Sequence, residues 1–188
     1  MPGFFTTPGA WAMLFLLCPP CSERNHGQNN QPQGINMELN ISSCHRVFDK
    51  IVTRVDNSLN IKDSCMSEAK NYITHRALII FKLDVLLIEH REKFDNERLV
   101  LFGKNALYHY LFTKKGIPLE TAKNMGLHDS LIVLWDDITA YNLPTDVDEF
   151  IRKNFYYANN PDSQSVPDEK RYFQDSEWDP EFTERWLS

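Results

Sequence analysis

The chain has 188 residues, 42% hydrophobic and 24% charged, which suits one globular domain with a small appendage and excludes a wholly disordered chain. A net charge of −6 argues against a protein that coats nucleic acid. The imbalance is local: residues 37–95 and 96–144 are charge-balanced, whereas residues 145–188 hold five basic against eleven acidic side chains. Such an acidic end is expected to be a solvated surface or an arm for a protein partner.

Residues 1–36 open with an apolar run, Ala10–Cys18, too short for the roughly 20 residues a bilayer span needs. No Lys or Arg precedes it and no small-residue cleavage site follows, so it is a poor secretory signal, and no membrane association is expected. The Gln/Asn/Gly/Pro-rich stretch behind it has no apolar face to bury, so residues 1–36 are expected to be disordered. Met37, where helical patterning begins, is expected to be the native start, the rival being an atypical signal or anchoring segment at 1–36. Cys18 and Cys21 form one C-P-P-C pair, Cys44-His45 and Cys65 stand apart, and neither a zinc site nor a disulfide framework follows from that spacing. Reduced thiols fit a cytoplasmic chain.

From Met37 to residue 158 the pattern predicts an all-α multi-helix domain. Ser42 or Ser43 would cap a first helix whose apolar face is Val47, Phe48, Ile51, Val52 and Val55. Residues 64–93 contain no Gly or Pro and predict one long helix with Met66, Ala69, Ile73, Ile80, Leu83 and Leu87 on a face. Its centre, "ALIIFKLDVLLI", is apolar nearly all round, so it is the core helix or the seam of a homodimer. Asp95 or Asn96 would open a third helix with Leu99, Val100, Leu107, Tyr110 and Leu111 inside, closed by Gly116. Thr145-x-x-Asp148 resembles a capping box for a helix near 146–158. Residues 159–188 are read as an acidic tail, a loop to residue 176 followed by a short helix capped by Asp179 and Pro180. Phe182, Trp186 and Leu187 lie on one side of that helix, as a partner-binding stripe or an intramolecular dock.

The stretch 118–137, "PLETAKNMGLHDSLIVLWDD", supplies Pro118 as a helix starter and Ala122 as a small residue in the first helix. Met125-Gly126-Leu127 span a turn, and Ile132 and Trp135 take inner positions of the second helix. On these positions the chain resembles helix-turn-helix transcriptional regulators of bacterial and phage type, with residues 96–142 as the whole unit. The resemblance implies a DNA-binding regulator of the kind carried on mobile elements such as prophages, with double-stranded DNA as partner. Outward residues of the second helix would then include His128, Ser130, Val133 and Leu134 as candidate base contacts, with Lys114, Lys115 and Lys123 on the phosphates. Asp129, Asp136 and Asp137 run against that use. The alternative is a protein-interaction module, an inhibitor or adaptor without nucleic-acid contact. There is no G-x-G-x-x-G, phosphate loop, G-x-S-x-G or H-E-x-x-H, so an enzyme is the least supported class and no cofactor is implied.

Overall fold

The computed structural model describes residues 39–60, 66–155 and 168–187, the side chains of residues 66–68 excepted. The expectations for residues 1–36, for Cys65 and for Tyr157 and Ala158 lie outside these. The described residues form an all-α bundle of eight helices without a strand: α1 (Ile41–Leu59), α2 (Met66–Phe94), α3 (Lys104–Lys115), α4 (Leu119–Asn124), α5 (Leu127–Val133), α6 (Trp135–Ala140), α7 (Thr145–Asn154) and α8 (Pro180–Leu187).

Asn40, not a serine, caps α1: its carboxamide oxygen accepts from the backbone N–H groups of Ser42 and Ser43 at 2.9 and 3.2 Å. That choice satisfies two of the first orphan donors and lets the helix begin two or three residues earlier. Cys44, Val47, Phe48, Ile51, Val55 and Leu59 then form the buried stripe, and Asn60 closes the helix in the left-handed conformation. Burial raises the Cys44 thiol to about 11, Asp146 adding to the shift, so the group is inert packing.

α2 is the core helix. α1, α3, α6 and α8 pack around it. Of its described side chains only Lys70, Lys93 and Phe94 are exposed, while Tyr72, Ile79 and Leu86 are half-buried along one side. Enclosure forces its polar residues to find internal partners. Arg76, 2% exposed, donates through Nε and one terminal nitrogen to both oxygens of Glu177, each at 2.7 Å. It also donates to the backbone carbonyls of Lys170, Arg171 and Tyr172 and rests on the Phe173 ring. Asp84 accepts from the Trp178 indole and the Thr183 hydroxyl, both at 2.6 Å. Residues 168–187 are therefore part of the bundle. The short 3-10 turns Asp168–Lys170 and Asp175–Glu177 carry the chain to α8, which turns Pro180, Thr183, Glu184 and Leu187 inward.

The third helix starts later than its pattern predicts. Asp95 accepts from the N–H groups of Leu99, Val100 and Leu101, holding 95–103 as a loop. Gly103, at φ 61° and ψ −130°, then turns the chain into α3 through a backbone conformation open to glycine. Leu99 and Val100, expected inside, are 77% and 67% exposed, whereas Leu107, Tyr110 and Leu111 are buried as expected. Gly116 takes the left-handed cap at φ 68°. At α7, Pro144 precedes the first turn and Thr145 makes no side-chain cap.

Candidate interaction surface at the helix-turn-helix-like unit

The corner at 118–140 is built from short pieces. Ile117 and Gly116 close α3 by donating to Leu111 and Phe112, and Pro118 releases the chain into α4. Ala122 is fully buried, which lets α4 lie close to its neighbours, and Leu127 sits behind the turn. Gly126 is not in the left-handed conformation that glycine makes cheap: at φ −74° and ψ 172° it is extended. A Cβ there would make only an ordinary contact with Asp175, at 3.5 Å. Asp175 accepts from the Leu127 N–H at 2.6 Å and so satisfies a first-turn donor of α5. The Phe173 N–H donates to Nδ1 of His128 at 3.3 Å, and Tyr172 stacks on the His128 ring at 3.9 Å. The start of the second helix is thus covered by residues 172–175.

The second helix is also turned relative to the expected register. Leu127, Ser130, Leu131, Leu134 and Ile138 face inward; Ser130 and Leu134 are fully buried, and the Ser130 hydroxyl donates to the carbonyl of Gly126 at 2.9 Å. Ile132 and Trp135, placed inside by the resemblance, are 62% and 49% exposed. Leu134 (φ −96°, ψ 7°) divides the segment into α5 and α6, and the inward stripe continues across it at helical spacing. Of the candidate base contacts, Ser130 and Leu134 are enclosed and His128 and Val133 half-buried. Lys115 pairs with Asp137 at 3.0 Å, which leaves Lys114 and Lys123 as the exposed cations of the set. Tyr110 also donates to Asp137, and burial with that carboxylate pushes the phenol up to about 12. The outer face of α5 and α6 instead presents Asp129, Ile132, Trp135, Asp136 and Thr139.

The C-terminal candidates divide. Leu187 is buried, Phe182 half-buried, and Trp186 38% exposed with the Arg46 guanidinium 3.7 Å over its ring. This stripe is largely spent on the chain's own α1. An open cavity of about 340 Å³ lies between the start of α3 and the 178–181 segment, lined by Phe102, Lys104, Asn105, Tyr108, Trp178, Asp179, Pro180 and Glu181. Sequence patterning missed the pinned loop bearing Leu99 and Val100 and the polar anchors of α2. A signal for the anchors was present, since a lone aspartate in "FKLDVLLI" must find an enclosed partner or lie on a seam. Among the described residues no cluster of three or more His, Cys, Asp or Glu could hold a metal, and no helix is long and apolar enough to cross a membrane.

No protein-family model, no curated protein and no solved structure matches this chain.

Proposed function

We propose that the chain is a regulatory protein-interaction module whose contact face is the outside of α5 and α6. The observation that carries this is the turned register. Two large apolar side chains, Ile132 and Trp135, stand out between Asp129 and Asp136, while Ser130 and Leu134 are enclosed. An exposed tryptophan beside an isoleucine is the composition of a binding hot spot. The flanking carboxylates favour a partner with an apolar centre and a Lys/Arg rim, and they oppose phosphates. DNA reading, the use implied by the resemblance, would rest on Lys114 and Lys123.

Two measurements separate these readings. Ile132→Ser/Trp135→Ala is expected to keep the fold and to weaken a purified partner's affinity by roughly a hundredfold, the loss of one to two hot-spot contacts. The partner is the protein that wild type retains and the double variant does not, confirmed by titration of the purified pair. Mixed-sequence duplex DNA at low salt is expected to give no anisotropy change. Salt-steep DNA binding that Lys114→Ala/Lys123→Ala removes and the double variant keeps would establish the DNA reading instead.

A further inference from the structure

We propose that Asp84 is a proton-operated latch for the C-terminal segment Trp178–Leu187: protonated it holds α8 on the bundle, and ionised it loosens it. The geometry is that of a lock. Asp84 is 2% exposed in the middle of α2, and both its hydrogen bonds go to the segment, one to Trp178 and one to Thr183. A protonated carboxyl satisfies this site fully: one oxygen accepts from the indole, the O–H donates to the Thr183 oxygen, and the Thr183 hydroxyl turns to the Asp179 carbonyl.

Ionisation leaves the hydrogen bonds intact and adds a charge that no cation among the described residues pairs. The groups facing the site are mostly acidic. Glu184, 3% exposed, and Asp179 come from α8 and its cap; Arg91 on α2 lies 3.8 Å from Glu184, and Arg54 on α1 is paired to Asp179. Lys104 on α3 stands over the Trp178 ring, 6.0 Å from its centre. The two arginines are thus committed to other carboxylates. Burial, outweighing the two hydrogen bonds, raises Asp84 to about 7, and burial raises Glu184 as well, in the same direction. Asp179 works oppositely. Burial raises it, but the Phe182 N–H and Arg54 hold it below the usual range, so its pair is lost only on acidification.

The neighbouring segment 168–177 stays tied by Arg76, which makes the movement local. What it would open is the wall of the cavity formed by Trp178, Asp179, Pro180 and Glu181. The sign follows from proton linkage. The closed form binds the extra proton from the ordinary aspartate range up to about 7, so closure is strongest at low pH, weakens as pH rises and levels off above about 7.

Hydrogen exchange of the full-length protein between pH 5 and 8, corrected for the intrinsic rate, tests this. Peptides from 178–187 are expected to open more readily by roughly tenfold per pH unit up to about pH 6.5 and then to plateau, with α1 and α3 unchanged. Asp84→Asn keeps the site's shape and removes the proton; its segment should show a much shallower slope, the remainder belonging to Glu184. In the wild type, the Trp178 indole N–H resonance should titrate with a midpoint near 7, which keeps the test open if the variant fails to fold. A flat wild-type profile, a resonance unmoved from pH 5 to 8, or an equal slope in Asp84→Asn overturns the latch.

Discussion

Replacing Arg76 with methionine tests whether residues 168–177 belong to the core. The guanidinium is 2% exposed and its carboxylate partner Glu177 fully buried, so the variant leaves an enclosed carboxylate with the Ser58 hydroxyl and the Gln174 N–H as donors and no paired charge from Arg76. It also strips donors from three backbone carbonyls at 2.7–3.2 Å. Breaking a buried pair from one side costs about 3–5 kcal/mol, a large share of the roughly 5–15 kcal/mol that holds a domain folded. Urea denaturation should therefore move the midpoint strongly with the slope preserved. Arg76→Lys should rescue little, because an ammonium cannot make the two parallel 2.7 Å bonds to Glu177 and reach the carbonyls as well. Arg76→Met/Glu177→Met removes both charges and should recover more than half the loss. A cost below about 1 kcal/mol for Arg76→Met, or additive effects in the double-mutant cycle, would refute the claim that the segment is clamped by this pair.

Two further expectations follow from backbone and charge. Gly103→Ala should cost about 1–3 kcal/mol, since φ is 61° and the new Cβ would lie 3.1 Å from Glu181 Cγ; Gly126→Ala, at φ −74° with 3.5 Å to Asp175, should stay within about 0.5 kcal/mol by urea titration. His90, buried and 2.9 Å from the His109 ring, is lowered to about 4 by burial, with His109, Lys114 and Lys93 adding to it. A lowered histidine contributes stability above its unfolded value of 6.5 and loses it as pH falls toward 4, by up to about 3 kcal/mol. Asp84 acts with the opposite sign in the same window, so global wild-type stability should vary little there. His90→Gln should uncover the Asp84 slope, with stability rising on acidification.

The sequence shows the helical class plainly because the core is written in helical periods. The α1 stripe, the unbroken α2 and the Gly116 cap each rest on a local rule, and the structure contains all three. Where reading fails, a distant residue overrides the local pattern. Leu99 and Val100 have the spacing of an inner stripe, but three backbone N–H groups bound by Asp95 are worth more to that stretch than another helical turn. Asn40 outcompetes two serines for the α1 cap because helix start is decided by which side chain reaches the free N–H groups. Arg76 and Asp84 find their partners roughly a hundred residues away, a pairing that no local pattern contains.

The helix-turn-helix-like corner shows how a one-residue change of phase decides which side chains a helix presents. The expected register needs Ile132 and Trp135 inside; the observed one puts Leu131, Leu134 and Ile138 there, each one position from an expected slot or one turn on. "LIVLW" is apolar at every position, so periodicity within it cannot choose, and the choice passes to the flanks. On one side Ser130 turns inward because its hydroxyl can bond the Gly126 carbonyl; on the other Asp137 meets Lys115 and Tyr110. Both anchors favour the same rotation. That rotation leaves an isoleucine and a tryptophan in water at a cost that burying Leu131 and Leu134 offsets, and in a binding module a partner would recover it. The acid residues that count against DNA are the ones that would make such a partner specific.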